Sequence, residues 1–237
     1  MAIRPYLAIT GEEIAQIGII PENAAWMFCP FSAEAMDVFD FAPAGKILVL
    51  TDADSSENTD PERIIQMLAR LEPEAILLDF QRSENIDNAA FAKKLKKTLS
   101  CPVILPPDLA EKLDGPVFLP PVPLHTSLKN HIAPWKERAI WLDISTEGEK
   151  ITLTEAGASF ETQLCFSPPE KGHQEERLHC HYSISLKEDA AIFTLWRTKE
   201  DMLSLLTEAE NRGIRAAVGL YQELGHAEAQ GTFFGES

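Results

Sequence analysis

The stretch "EAILLDFQRSEN" places a carboxylic acid and an amide at the end of an apolar run. Asp79 ends the run, and Gln81 follows two residues later. Because side chains alternate along a strand, Leu77, Asp79 and Gln81 would share one face. A carboxylate accepts hydrogen bonds, and an amide both donates and accepts them. The pair is therefore interpreted as a buried polar pair, as a vestigial ligand site, or as a site with altered catalysis.

Polar and aromatic residues also follow other apolar runs of the sequence. If the runs are parallel strands, their carboxyl ends meet at one edge, and these residues lie near each other. The candidate ligand-binding residues are Asp52, Asp79, Gln81, Asp143, Trp196, Tyr221 and Gln222.

Two short patterns contain possible metal ligands. His179 and His181 form an H-x-H pair, but the sequence nominates no third or fourth ligand, and a solvated face is favoured. Asp52 and Asp54 could hold a cation, although Asp, Ser and Asn are also typical of a loop that leads into a capped helix. We therefore predict no metal site and no cofactor.

Short apolar runs alternate with helical segments, which predicts a parallel sheet covered by helices. Most runs are apolar at consecutive positions, as in strands that are buried on both faces. Nine runs fit this description: Tyr6–Thr10, Ala25–Cys29, Lys46–Thr51, Ala75–Phe80, Pro102–Leu105, Pro116–Leu119, Ala139–Ile144, Ala191–Trp196 and Ala216–Tyr221.

Three helices carry recognisable ends. One begins around Thr59 and Asp60, a second begins near Asp87, and a third runs from a Thr198 cap to Gly213. The segment 148–190 breaks the alternation, because "KITLTEAGASFETQ" and "RLHCHYSISLKED" are extended and polar-alternating. We predict an antiparallel insertion there, within a single domain that covers 1–237.

The fourth run resembles the fourth barrel strand of the chitinase-like family 18 glycoside hydrolases. That family's D-x-x-D-x-D-x-E motif aligns with Glu74, Leu77, Asp79 and Gln81. The segment "AIFTLWRTKEDMLSLLTEAENRGIRAAVGLYQELG" is similar to the family's closing strand, helix and final strand, where Tyr221 or Gln222 replaces a tryptophan. The resemblance implies a compact α/β fold, a (β/α)8 TIM-like barrel with a small antiparallel insertion before the last strand–helix–strand unit.

The implied barrel makes predictions about strand order. We expect Lys46–Thr51, Ala75–Phe80 and Ala216–Tyr221 to be parallel neighbours, with Tyr6–Thr10 next to Ala216–Tyr221. The first and last strands must meet for a barrel to close.

The resemblance also implies a function and a departure from it. Family members use the glutamate of the motif as a proton donor, and Gln81 stands in its place. We therefore expect a protein that recognises a carbohydrate or glycan fragment without cutting it. The alternatives are an active glycoside hydrolase that uses another acid, such as Asp143, Glu223 or Asp52, and a scaffold protein without a pocket.

The composition excludes other classes of function. A formal charge of −16 repels a phosphate backbone, so no nucleic-acid partner is expected. No apolar run is long enough for a membrane span and no secretory signal is recognisable, so we expect a cytoplasmic protein. No glycine-rich phosphate loop and no G-x-S-x-G elbow are present. The oligomeric state does not follow from the sequence.

Overall fold

The computed structural model describes residues 3–17, 19–30, 46–52, 60–80, 87–163, 167–169 and 171–224. The strands are β1 Tyr6–Thr10, β2 Ala24–Phe28, β3 Ile47–Thr51, β4 Ala75–Asp79, β5 Val103–Ile104, β6 Val117–Leu119, β7 Ile140–Ile144, β8 Gly148–Thr154, β9 Gly157–Gln163, β10 His173–Glu175, β11 Cys180–Leu186, β12 Ala190–Trp196 and β13 Ala216–Leu220. The helices are α1 Gly11–Gln16, α2 Pro61–Arg70, α3 Asn88–Thr98, α4 Pro107–Ala110, α5 Leu128–Ile132 and α6 Lys199–Asn211, with a 3-10 turn at Ala133–Trp135.

Eight parallel strands form a nearly closed barrel, in the order β5-β4-β3-β2-β1-β13-β7-β6. The ring closes between β5 and β6 through one parallel bridge, Leu105 to Val117, where Phe118 N donates to Leu105 O at 2.8 Å. The predicted (β/α)8-like fold is confirmed, as is the pairing of β1 with β13. The placement of β13 beside β3 and β4 is wrong, because β13 fills the gap between β1 and β7.

The consecutive apolar residues of the barrel strands serve two separate cores. In β4, Ala75 and Leu77 belong to a cluster inside the barrel, together with Val49 and other inward-pointing residues. Ile76 and Leu78 belong to the larger cluster between the strands and the surrounding helices. Both faces are therefore buried, which explains why these strands lack the polar alternation of a half-exposed sheet.

The three predicted helices are present, and side chains cap their amino ends. Asp60 caps α2, Asp87 caps α3, and Thr198 forms a capping box with Asp201 at the start of α6. Thr59 lies outside the described residues. Within the described part of the chain, no helix is long and apolar enough to cross a membrane.

A separate antiparallel sheet, in the order β10-β11-β12-β8-β9, follows β7. It confirms the predicted insertion, since residues 153–163 form strands and a turn instead of a barrel helix. The run Ala191–Trp196 was expected to be a barrel strand, but it is β12 and lies in the middle of this sheet. A local apolar run does not show which sheet it joins, and β12 pairs with β8 and β11 in register.

The antiparallel sheet contacts α6 through two histidines. His181 Nδ1 lies 2.7 Å from Asp201 Oδ2, and His179 Nε2 lies 2.6 Å from Glu208 Oε2. The expectation of a solvated face is wrong for both histidines, because α6 supplies a carboxylate partner to each.

The same sheet contacts the loop that follows β6. The Leu124 amide donates to Glu149 Oε1 at 2.8 Å, and Arg197 Nη1 donates to the Val122 carbonyl at 2.9 Å. Leu124 also packs with Cys180 and Leu195 in a small buried cluster. The insertion is thus anchored to the barrel by an apolar contact and by hydrogen bonds to buried or partly buried groups.

Candidate functional site at the barrel mouth

A cavity of about 390 Å³ opens at the carboxyl ends of the barrel strands. Its floor consists of inward-pointing residues of several strands. These floor residues are Ala8, Met27, Val49, Phe118 and Val218. Small and medium side chains on β1, β2 and β3 leave this space, since the barrel interior is otherwise filled by side chains.

Five carboxyl groups line the cavity: Asp52, Asp79, Asp143, Glu147 and Glu223. None of the described residues that line it is basic. Among the described residues, no group of three or more His, Cys, Asp and Glu side chains is arranged to hold a metal ion. The site is therefore a concentrated set of hydrogen-bond acceptors with a negative potential.

Asp79 lies at the last position of β4, where the alternation of side chains predicts it. It pairs with Thr51 of β3, which also lines the cavity. Leu77 lies one inward step deeper, fully buried in the barrel interior. Asp52 follows β3 directly and is 2% exposed. Gln81 lies outside the described residues.

Asp143 is the lining acid whose pKa is raised most clearly by its surroundings. It is the fourth residue of β7 and pairs with Val218 of β13. Burial raises its pKa well above the usual value, and the nearby charges of Asp79, Glu223 and Glu147 raise it further. Asp143 consequently holds a proton over a pH range in which an exposed aspartate is ionised.

The rim beside Asp143 is formed by the loop between β7 and β8. Thr146 donates to Glu223 Oε2 from its amide at 2.8 Å and from its hydroxyl at 3.2 Å. Burial raises the pKa of Glu147, with a further contribution from Glu223. This loop also leads into the antiparallel sheet, so the insertion begins at the edge of the cavity.

Gly219 allows Glu223 to reach the rim. Residues 221–224 form a helical turn directly after β13, and Leu224 is fully buried. A Cβ atom on Gly219 would lie 2.4 Å from Leu224 Cδ1 and 2.9 Å from Ile144 Cγ1. The turn therefore packs onto the bare backbone of β13, which brings Glu223 over the end of the barrel.

The structure brings some of the candidate residues together and separates others. Asp52, Asp79 and Asp143 share the cavity. Trp196 lies in the antiparallel sheet, where its ring stacks on His181 with centroids 6.0 Å apart. Tyr221 packs against the outer hydrophobic core, and Gln222 is exposed to solvent.

The sequence analysis missed Glu147 as a lining residue. Glu223 was named only as an alternative acid. Glu147 follows the β7 run by three positions, in the polar segment "STEGE". A search that extended past the first residue after each strand would have found it.

The comparison with known sequences identifies no relative: no protein-family model matches the chain, and no curated protein is significantly similar to it. Solved structures do match. The C-terminal domain of a predicted chitinase from Desulfitobacterium hafniense superposes with a TM-score of 0.50 at 10% identity, covering 93% of this chain and 94% of that domain.

Two spore cortex-lytic enzymes named SleL are also similar in structure. The Bacillus cereus protein matches with a TM-score of 0.47 at 10% identity, over 92% of this chain and 70% of that one. The Bacillus megaterium protein matches with a TM-score of 0.43 at 10% identity and 83% of this chain, which spans only 62% of that enzyme. The match to the Desulfitobacterium hafniense domain shows that the barrel has a chitinase-like fold, in agreement with the resemblance seen in the sequence.

Proposed function

We propose that this protein binds a carbohydrate at the mouth of the barrel and does not cleave it by the chitinase route. One observation carries the proposal: a cavity at the carboxyl ends of the strands combines an apolar floor with several carboxylate acceptors. Ligand sites of barrel proteins lie at this face. A scaffold protein without a pocket is disfavoured by the same cavity.

The lining suits a sugar in two respects. Carboxylates accept hydrogen bonds from hydroxyl groups, and Met27 and Phe118 offer apolar surface to the C–H faces of a pyranose ring. Because no described lining residue is basic, the cavity favours a neutral or cationic saccharide over an anionic one. The same negative charge disfavours a nucleic-acid partner.

The lack of chitinase-type hydrolysis rests on Gln81. Its amide has no proton to deliver to a glycosidic oxygen near neutral pH. General-acid catalysis contributes a factor of about 100 to 10,000, so a glutamine at this motif position leaves at best slow cleavage.

The raised pKa of Asp143 favours a second candidate function. In the two-carboxylate route, hydrolysis of a glycosidic bond uses one protonated and one ionised carboxyl group, and a pair with separated pKa values can supply both. Asp143 stays protonated because burial and the charge of Asp79 oppose its ionisation. In this alternative, Asp143 donates the proton and Asp79 stabilises the developing positive charge on the sugar.

A binding experiment with two variants tests the proposal. Thermal-shift and calorimetric titrations would use neutral N-acetylglucosamine oligomers, glucosamine oligomers and an anionic uronic-acid oligomer. We expect a neutral or cationic oligomer to raise the melting temperature, and Asp79→Asn to weaken its binding about tenfold, as expected for the loss of one charged hydrogen bond. Asp189→Asn, a change in an exposed turn, serves as the matched control.

Product analysis by mass spectrometry then separates the two functions. The binding proposal expects intact oligomers after prolonged incubation with the wild-type protein. Cleavage that is abolished by Asp143→Asn would establish the hydrolase instead. Failure of all three oligomer classes to bind would refute both functions at this site.

A further inference from the structure

Within the described parts of the chain, the strand β9 pairs on one side only and so forms an open edge of the antiparallel sheet. It stands at one end of the strand order, and six of its seven residues are exposed. The opposite edge is β10, which has only three residues. Natural proteins usually protect a long edge strand with lysine, proline or a bulge. β9 contains neither lysine nor proline, and its one charged residue, Glu161, is paired with Lys150 at 3.4 Å.

An apolar row of side chains runs across the sheet and ends at this edge. Phe160 is opposite Ile151, Ile151 is opposite Phe193, and Phe193 is opposite Ile184. Side chains that are directly opposite each other lie on the same face of a sheet. Phe160 is 59% exposed and Ile184 is 50% exposed, so the outer part of the row contacts solvent in the isolated chain.

The hairpin geometry defines which backbone groups face the open edge. A two-residue turn joins β8 to β9, with Thr154 and Gly157 as the closing pair. In such a hairpin the closing pair is hydrogen-bonded, and the pairs then alternate between bonded and non-bonded. The residues with backbone groups that point away from β8 are therefore Ala158, Phe160 and Thr162.

We propose that β9 pairs antiparallel with β9 of a second copy of this chain, around a two-fold axis at Phe160. The two phenylalanines then form a hydrogen-bonded pair, flanked by two pairs of Ala158 with the partner's Thr162. Each hydrogen-bonded pair exchanges two bonds, which gives about six hydrogen bonds across the interface. The apolar row becomes continuous through both sheets.

The proposed register avoids a direct contact between like charges. Glu161 is the only charged residue of β9, and the two-fold at Phe160 places it opposite Ser159 of the partner, so like charges do not meet directly. At longer range two chains of formal charge −16 repel each other. The dimer is therefore of the weak, transient class and becomes tighter as salt screens this repulsion.

Sedimentation equilibrium and light scattering of the full chain test the proposal over about 5 to 300 µM, the range in which weak homodimers dissociate. We expect a monomer–dimer equilibrium for the wild type. Thr162→Pro removes one donor that faces the open edge and leaves the β8–β9 ladder intact, so it should weaken the dimer at least tenfold. Ser159→Lys places a lysine opposite the partner's Glu161 on both sides of the axis and should tighten the dimer about threefold to tenfold.

Leu186→Lys is the matched control. Leu186 is 80% exposed on the same face but lies on β11, away from the open edge, so this change should leave the dimer unaffected. Far-UV circular dichroism confirms that each variant is folded. A monomeric wild type at the highest concentration, with or without added salt, overturns the proposal. Dissociation by Leu186→Lys, or no tightening by Ser159→Lys, also overturns it and indicates face-to-face stacking of the sheets.

Discussion

Asp143 is a carboxyl group that the folded protein keeps among other carboxyl groups. Its pKa is raised by burial and then by Asp79, Glu223 and Glu147. The folded state therefore binds this proton more tightly than the unfolded state does. The stability that this contributes is present below the unfolded pKa and is lost as the pH rises towards the folded pKa.

Replacing Asp143 by asparagine should stabilise the protein at alkaline pH. An amide keeps the shape of the side chain and removes the cost of ionisation, so we expect Asp143→Asn to raise stability by on the order of 1 kcal/mol at pH 8. For a protein of this size that is about 2–4 °C in melting temperature. The gain should vanish near pH 4, where the wild-type side chain is also neutral. Thermal unfolding of both proteins between pH 4 and pH 8, with Asp189→Asn as the control, measures the gain in stability. An equal gain at every pH would contradict the view that it comes from the ionisation of Asp143.

For single residues of the site, the sequence predicts where a side chain lies better than it predicts whether a carboxyl group is ionised. The place of Asp79 follows from the alternation of side chains, because Leu77 and Asp79 had to share the inward face of β4. The raised pKa of Asp143 could not be predicted, since it depends on burial, on Asp79 of another strand and on Glu223, which reaches the same cavity from a distant part of the sequence. Gly219, which lets that turn approach, carries no local signal for such a contact.

At the element scale, Asp201 joins the start of α6 to the antiparallel sheet. Its carboxylate accepts from the Thr198 amide at 2.9 Å and lies 2.7 Å from His181 Nδ1. Burial acts to raise the pKa of Asp201, but hydrogen bonds from Thr198 and His181 outweigh burial, and the pKa is lowered. Such a group stabilises the fold at neutral pH, and its contribution is lost as the pH falls through the folded pKa.

Asp201→Ala should destabilise the protein by about 2–3 kcal/mol at pH 7, because it removes the acidic half of the α6 capping box and a charge-assisted hydrogen bond that the carboxylate accepts from His181. Denaturant unfolding at pH 7 and at acidic pH measures the difference. We expect the difference in unfolding free energy between variant and wild type to become smaller at the acidic pH, where Asp201 is protonated in both the folded and the unfolded state. Glu200→Ala, at an exposed neighbouring position, should change little. A gap that is independent of pH would show that the carboxylate charge contributes nothing.

Some helices and strands could be predicted from nearby residues in the sequence, and others could not. The α6 helix could be predicted because Thr198 and Asp201 form a capping box that is visible in the sequence. The sheet to which Ala191–Trp196 belongs could not, because an apolar run contains no information about its partner strand. The contacts of His179 and His181 were missed for the same reason, as their partners lie on α6.

At the scale of the whole molecule, the alternation of runs and helices predicts the barrel, and the comparison with solved structures supports that fold. The strand count was one too high, because β12 is as apolar as a barrel strand. Closure of the barrel depends on how many residues of each strand pair with the neighbouring strands. That number is set by tertiary packing and is smallest for β5 and β6.

The barrel should open more easily between β5 and β6 than between its other strands, because the seam between these two strands is short. β3 and β4 share five residue pairs, from Ile47 with Ala75 to Thr51 with Asp79, whereas β5 and β6 meet at a single bridge. Local opening should start at this seam, since little has to break there. Hydrogen–deuterium exchange should therefore be faster at the amides of Leu105 and Phe118 than along β4. Uniform protection around the barrel would argue against a seam.

The weak pairing between β5 and β6 lies next to the cavity. Phe118 lines the pocket and also donates one of the two backbone hydrogen bonds that cross the seam; the Leu105 amide donates the other to the Pro116 carbonyl at 3.0 Å. A breathing motion of β6 would therefore widen and narrow the binding space without disturbing Asp79 on the well-paired β4. A ligand bound in the cavity should hold β6 in its closed position. It should therefore slow hydrogen–deuterium exchange at the Phe118 amide more than at any amide of β3.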